Sequence, residues 1–222
     1  MKNLNIQIEV NQELYCKKPD TSELGQKILS ESIKLIDEIG FEAFTFKKLG
    51  VAINSPESSI YRYFKNKHML LVYLTSWYWS WIEFELVFSS TNVSSPKERL
   101  QKAIGVLTKP VMENTLIPYI NETLLSNIII SESIKSYHTK NVDEENKKGY
   151  FKSYKKVVQR VSDILLEIKP EFPYPHMLIS TVIEGAHHQK YFAKHIPSLT
   201  DTNKENNTIE KFYTEMVLNF IK

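Results

Sequence analysis

Glycine and proline are scarce in this sequence: its 222 residues include six glycines and nine prolines, and long stretches contain neither. Sandwiches and barrels need many tight turns, and those turns depend on both residues. The shortage therefore argues against an all-β fold and favours helices. With 42% hydrophobic and 24% charged residues, the chain is otherwise an ordinary globular sequence, long enough to bury a sizeable core.

Cysteine is nearly absent as well. Cys16 is the single one, so the chain cannot form an internal disulfide, and this usage fits a reducing compartment. Residues 1–10 also lack the apolar stretch of a signal peptide. These features predict a cytoplasmic protein.

An excess of charge of one sign is missing too, because the formal net charge is +2 at pH 7. A strongly basic chain would indicate a nucleic-acid or anionic-membrane partner. In a nearly neutral chain, any contact with nucleic acid has to come from a local patch.

One long hydrophobic run is present, Met69 to Phe88 (MLLVYLTSWYWSWIEFELVF), and it reaches the roughly 20 residues that cross a bilayer. It contains Glu83 and Glu85, however, and a carboxylate at that depth costs about 2.5–3.5 kcal/mol on insertion scales. We therefore interpret the run as a buried helix of a soluble protein. The alternative is an amphitropic membrane protein that uses this tryptophan-rich helix.

Apolar residues recur with helical spacing through most of the chain. The first stripe runs from Ser22 to Ile39, and Gly40 follows where a helix end favours a left-handed residue. Residues 1–20 show only a weak alternating pattern, which indicates either a disordered arm or an edge strand, and we expect the arm. Proline and polar breaks predict further helices at about 45–53, 56–64, 66–88, 96–109, 118–131, 142–168, 175–195 and 207–221.

The most informative segment is Thr45–Lys67, TFKKLGVAINSPESSIYRYFKNK. Thr45 and Ser55 are typical N-caps of two short helices, and Asn54 between them tolerates a left-handed turn. Two short helices joined by such a turn have the layout of a helix-turn-helix. On the second helix Ile60 and Phe64 are four residues apart and face inward, so the residues that point outward are Ser58, Ser59, Tyr61 and Arg62.

The local charge of this segment differs from that of the whole chain. Its only carboxylate is Glu57, against the five cationic side chains of Lys47, Lys48, Arg62, Lys65 and Lys67. Hydroxyls and a tyrosine on the second helix suit the major groove of DNA, while flanking lysines suit phosphates.

The segment from Lys27 to Leu74 resembles the DNA-binding region of the TetR family. The resemblance rests on Ile39-Gly40-Phe41, then Thr45, then Leu49 through Tyr61-x-Tyr63-Phe64-x-x-Lys67-x-x-Leu70. It covers about fifty residues, and the remainder matches the family only in its helical layout. The residues that it implies as contacts to the DNA backbone or bases are Thr45, Lys47, Tyr61, Tyr63 and Lys67, with Ser58 and Ser59 close to bases.

The resemblance also implies an all-α protein in three parts. These are a flexible arm at 1–20, a helix-turn-helix domain, the head, at 21–67, and a helical effector-binding and dimerisation domain at 68–222. It implies a homodimeric, ligand-responsive transcriptional regulator, a repressor, that binds a palindromic operator on double-stranded DNA and responds to a small-molecule effector. The alternative is a helical ligand-binding or protein-interaction module with a vestigial head.

Two positions depart from the family pattern. Asn54-Ser55 stands where a glycine and a small apolar residue are usual, and asparagine adopts the same backbone. Glu57 lies near the start of the recognition helix. It either accepts a hydrogen bond from a cytosine amino group or stabilises the helix N-terminus electrostatically.

The body offers candidates for a ligand pocket and for a dimer interface. Trp77, Trp81, Phe84 and Phe88 follow one face of their helix, which is consistent either with plain core packing or with an aromatic pocket. The resemblance makes the last two long helices the dimer helices. The stripe that we expect at the interface consists of Leu178, Val182 and Ala186.

Metal binding and catalysis have little support in the sequence. His187 and His188 are adjacent and point about 100° apart on a helix, and no further ligand stands at a suitable spacing. The sequence has no phosphate-binding glycine loop and no nucleophile motif. We therefore expect neither a metal, a cofactor nor enzymatic activity.

Overall fold

The computed structural model of the chain describes residues 8–112, 117–202 and 207–222. These residues contain helices and turns and no strand, which confirms the all-α prediction. They form two compact units, one from Met1–Ser80 with Val111–Lys152 and one from Trp81–Pro110 with Ser153–Lys222. No helix in the described ranges is both long and apolar enough to cross a membrane.

The first unit contains the segment that resembles a DNA-binding region. Its helices are α1 (Glu23–Ala43), α2 (Phe46–Ala52), α3 (Glu57–Tyr61), the first part of α4 (Lys67–Ser90), α6 (Glu122–Glu132), α7 (Ile134–Tyr137) and α8 (Val142–Lys147). In the second unit are the last part of α4, α5 (Pro96–Thr108), most of α9 (Lys152–Ile168), α10 (Pro175–His195) and α11 (Thr208–Phe220).

The predicted helix boundaries near the head follow from capping chemistry. The Ser22 Oγ accepts a hydrogen bond from the Gly25 N–H at the start of α1, and the Asn66 side chain accepts one from the Met69 N–H at the start of α4. Gly40 has a φ of 75° and interrupts α1 as expected. Its φ is one that residues with a Cβ rarely adopt.

The turn between α2 and α3 is close-packed. Asn54 has a φ of 52°, as predicted, and the Ser55 N–H donates to the Gly50 carbonyl at 2.9 Å. The prediction that Ser55 caps α3 is wrong. Pro56 occupies the N-cap position in an extended conformation and α3 begins at Glu57, so Ser55 lies one residue too early to cap the helix.

Residues 8–20 are held against the rest of their unit rather than forming a flexible arm. Leu14 is 1% exposed, the Asn11 Nδ2 donates to the Lys148 carbonyl at 2.8 Å, and the Ser80 Oγ donates to the Glu9 carbonyl at 3.1 Å. The expectation of a flexible arm over 1–20 therefore fails for residues 8–20, because two short 3-10 turns bury an apolar side chain. Residues 1–7 lie outside the described residues.

Helices α6 to α8 pack in the same unit as the helix-turn-helix. The α6 residue Glu132 is buried. It accepts a hydrogen bond from the Phe41 N–H at 3.1 Å and pairs with Lys135 at 2.6 Å. The compact unit thus extends past the expected boundary at 67/68.

The single helix expected at 142–168 is broken, because Gly149 adopts a φ of 79° between α8 and α9.

In the second unit α10 packs against α5 and α11. Leu178 is 8% exposed, and Val182 and Ala186 are completely buried. These three residues were expected at a dimer interface, but they face the core of their own unit. Helical spacing identified the apolar stripe correctly, yet it could not distinguish a stripe buried within the chain from one left for a partner.

Buried His187 makes the second unit sensitive to acid. Burial, followed by the charges of Lys190 and His188, lowers the pKa of His187 to about 3. Between the ordinary pKa of 6.5 and about 3, the unfolded chain binds a proton that the folded chain excludes. Stability therefore falls as the pH falls through this window.

We expect His187→Gln to reduce the loss of stability between pH 7 and pH 4.5 by roughly 2 kcal/mol. Urea unfolding of the wild type and the variant at both pH values measures this difference. His195→Gln, at an exposed position on the same helix that does not act on the pKa of His187, is the control and should behave like the wild type. Equal pH dependence in all three proteins would contradict the assignment.

Candidate nucleic-acid interface

The outward face of α3 is set by Ile60, the buried residue of the helix, and the chain is held inward again at Phe64, after the helix has ended. Ile60 and Phe64 are completely buried, as predicted. Ser58 and Arg62 are consequently exposed, and Ser59 is half-buried. The short helix therefore offers a hydroxyl and a guanidinium on the side away from its core.

Tyr61 is held in place by its neighbours. Its ring packs edge-on against Phe46, with ring centroids 5.1 Å apart, and its hydroxyl donates to the Glu57 carboxylate at 3.2 Å. This hydrogen bond raises the pKa of Tyr61. Because 49% of the tyrosine remains exposed, it can still meet a partner, and the Glu57 carboxylate is already engaged within α3.

The start of α2 contributes further polar groups. The Thr45 Oγ1 accepts a hydrogen bond from the Lys48 N–H at 3.2 Å, so its cap role is confirmed while the side chain stays exposed. The Lys48 Nζ donates to the Ala43 carbonyl at 2.9 Å. Lys47 is exposed.

Tyr63 was expected to contact DNA, but it is 2% exposed. Its hydroxyl shares a hydrogen bond with the Ser22 Oγ at 2.8 Å, and the Lys17 Nζ lies 5.2 Å from the centre of its ring. The hydrogen bond to Ser22, the nearby Lys17 and the charge of Arg62 lower the pKa of Tyr63. This tyrosine contacts both residues 15–18 and the start of α1, so its side chain makes its contacts within the protein.

Lys67 was likewise expected at the DNA surface. Its Nζ instead donates to three backbone carbonyls, those of Phe41 at 2.9 Å, Glu42 at 3.1 Å and Phe44 at 3.2 Å. The ammonium also lies 4.7 Å from the centre of the Phe41 ring. Lys67 therefore satisfies the carbonyls at the end of α1, which a helix leaves without partners.

The expected pocket residues occupy different surroundings. Trp77 and Trp81 are buried, whereas Phe88 is 71% exposed. Phe84 is half-buried and stacks on Phe88 with ring centroids 6.3 Å apart. Within the described ranges no group of three His, Cys, Asp or Glu side chains is placed to hold a metal ion.

The sequence patterns did not identify Lys17 as a residue near the helix-turn-helix. The sequence does place Lys17 and Lys18 just before α1, but their position beside the helix-turn-helix depends on how residues 8–20 fold back. The Cys16 N–H donates to the Tyr63 carbonyl at 2.8 Å, and that contact between distant residues leaves no local pattern.

Residues 28–74 match the family of bacterial regulatory proteins called the tetR family. No curated protein matches the chain in sequence. The matched residues cover most of α1, all of α2 and α3, and the beginning of α4, which are the elements that carry the geometry described above.

Solved structures share the fold over most of the chain. A bacterial regulatory protein of the tetR family from Rhodococcus RHA1 aligns with a TM-score of 0.62 and 13% identity over 90% of this chain and 98% of that one. The superantigen PfiT gives 0.59 and 18% over 91% and 97%. The ketosteroid transcriptional regulator KstR2 of Mycobacterium tuberculosis gives 0.55 and 13% over 90% and 94%.

Proposed function

We propose that this chain is a transcriptional regulator that binds duplex DNA through α3, and the similarity of residues 28–74 to the tetR family of bacterial regulatory proteins supports this. The observation that carries the proposal is the outward face of α3, where Ser58, Tyr61 and Arg62 are exposed above a buried Ile60. In this arrangement α3 enters the major groove and the polar side chains meet base edges. Lys47 and Lys65, both exposed, neutralise flanking phosphates.

The proposal includes a homodimer formed by the exposed faces of α10 and α11. Among the exposed apolar side chains of the second unit are Met177 (67%), Phe212 (56%) and Phe220 (59%). Apolar residues grouped on a helix surface are typical of a protein interface. A second copy of the chain is the occupant that we propose, because a two-fold axis pairs the same patch on both copies.

A symmetric dimer presents two copies of α3 to two half-sites, so the operator is a palindrome. We propose that the protein is a repressor, and that a small-molecule effector changes its affinity for the operator. A coupling free energy of about 1–3 kcal/mol corresponds to roughly 5- to 150-fold in affinity. The large buried indoles of Trp77 and Trp81 are the candidate contacts for an apolar effector, each within its own unit.

The test is selection of the purified chain against a random duplex pool, followed by anisotropy on the enriched sequence from 50 to 200 mM salt. We expect a palindrome, and an affinity that falls about 10³- to 10⁵-fold over this range if six to ten phosphates are neutralised. Arg62→Ala should weaken binding roughly 5- to 150-fold and relax the preference at one base pair.

Lys34→Ala is the matched control, because Lys34 is paired with Glu31 on α1 at 2.7 Å and the substitution changes the net charge by the same amount. It should bind the selected duplex like the wild type. Absence of enrichment even at low salt would overturn the DNA-binding proposal and favour a helical ligand-binding or protein-interaction module.

A further inference from the structure

We propose that Lys17, on the segment before α1, is a phosphate contact of the DNA interface, placed beside the recognition helix by the folding back of residues 8–20. The inference rests on the proposed function, since its ligand is the phosphate backbone of the same duplex. It assigns phosphate binding to the N-terminal segment. The family resemblance places Tyr63 and Lys67 at the DNA, but both side chains are engaged within the protein.

The segment is fixed at both ends of Lys17. On one side the Cys16 N–H donates to the Tyr63 carbonyl at 2.8 Å, and on the other Pro19 is buried against Gly25 of α1. A Cβ at Gly25 would overlap the Pro19 backbone, so glycine is what permits this close approach. Lys17 is therefore presented by a held backbone, which reduces the entropy lost on binding.

Lys17 covers the residue that the family resemblance places at the DNA. Tyr63 is buried, and the Lys17 ammonium lies 5.2 Å from the centre of its ring. The hydroxyl of Tyr63 is turned to Ser22 at 2.8 Å. What faces solvent above Tyr63 is thus the cation, whose side chain is exposed.

The charge of Lys17 is available to an anion. In the part of the chain that the structure describes, Lys17 forms no salt bridge, whereas its neighbour Lys18 is paired with Asp20 at 3.3 Å. Tyr63 follows the last residue of α3, Tyr61, by two positions. Lys17 therefore lies by the C-terminal end of α3, near the exposed Arg62, where a helix in the major groove is flanked by phosphates.

The experiment compares Lys17→Ala, Lys17→Arg and Lys34→Ala by anisotropy on the selected operator and on a scrambled duplex, at several salt concentrations. Removing one phosphate contact should lower the slope of log K against log salt by about 0.9. Affinity for both duplexes should fall by the same factor, about 3- to 10-fold at low salt, because phosphates carry no sequence information. Lys17→Arg should retain affinity and slope, and Lys34→Ala should match the wild type.

Thermal unfolding of each variant shows whether a change in binding comes from a change in folding. An unchanged slope in Lys17→Ala, with wild-type binding intact, overturns the inference alone. A loss confined to the selected operator also overturns it, since Lys17 would then read bases. A wild-type chain that binds neither duplex overturns the inference and the proposed function together.

Discussion

Lys67→Met should lower the free energy of unfolding of the first unit by about 2–4 kcal/mol, the size expected when charge-assisted hydrogen bonds to the backbone are lost. The Lys67 ammonium bonds the carbonyls of Phe41, Glu42 and Phe44, and methionine keeps the unbranched apolar chain, one atom shorter, but has no donor. These carbonyls belong to the last turn of α1 and to its C-cap residue, Phe44, after the non-helical φ and ψ of Gly40. Urea unfolding followed by circular dichroism measures the change.

Lys65→Met is the control for this substitution, because Lys65 is exposed and lies two residues before Lys67, in the loop that leads into α4. It should change stability by less than about 0.5 kcal/mol. If Lys67 acted only as a phosphate contact, Lys67→Met would leave the unfolding curve unchanged and weaken DNA binding alone. That result would contradict the structural role.

Phe220→Asp should convert a dimer into a monomer and lower operator affinity by about 10²- to 10⁴-fold, the range lost when two linked binding sites become independent. Phe220 is 59% exposed on α11. It lines a groove of about 440 Å³ together with Phe212, Glu215, Met216 and Asn219. A carboxylate in the centre of an apolar interface would be buried without a partner, at a high cost in free energy.

Light scattering gives the mass of each form. The wild type should show twice the 26.0 kDa of one chain, and the variant a single chain. Val87→Asp is the matched control, since Val87 is an exposed apolar residue of the same unit at 43% exposure that lies outside the proposed interface. A monomeric wild type, or a dimeric Phe220→Asp protein, would contradict the proposed dimer face.

The head was predictable from sequence because local chemistry specifies it. Thr45 and Asn54 act within three or four residues of themselves, as a cap and as a left-handed turn residue, and both take the predicted role. Ile60 faces inward as its helical position predicts, whereas Phe64 lies beyond the end of α3 at Tyr61, so its burial does not follow from helical spacing. The family match over residues 28–74 agrees with this local pattern.

The remaining site features depend on contacts between distant residues. Tyr63 and Lys67 carry the spacing of the family motif, but the sequence alone could not show that residues 15–18 cover the first and that the end of α1 engages the second. The stripe at 178, 182 and 186 failed for a related reason. Hydropathy specifies that a face is buried, while only the packing of α10 against α5 and α11 decides what buries it.

The hydrogen bond between the Glu132 carboxylate and the Phe41 N–H bears on how such a protein can be recombined with its relatives. A cassette cut after residue 67 would separate α1 from Glu132, the α6 side chain that accepts a hydrogen bond from its final turn. Exchange of DNA specificity by swapping that cassette would therefore join mismatched surfaces. A chimera keeps these partners together when residues 111–152 are transferred with the head, so the segment to transfer is discontinuous in the gene.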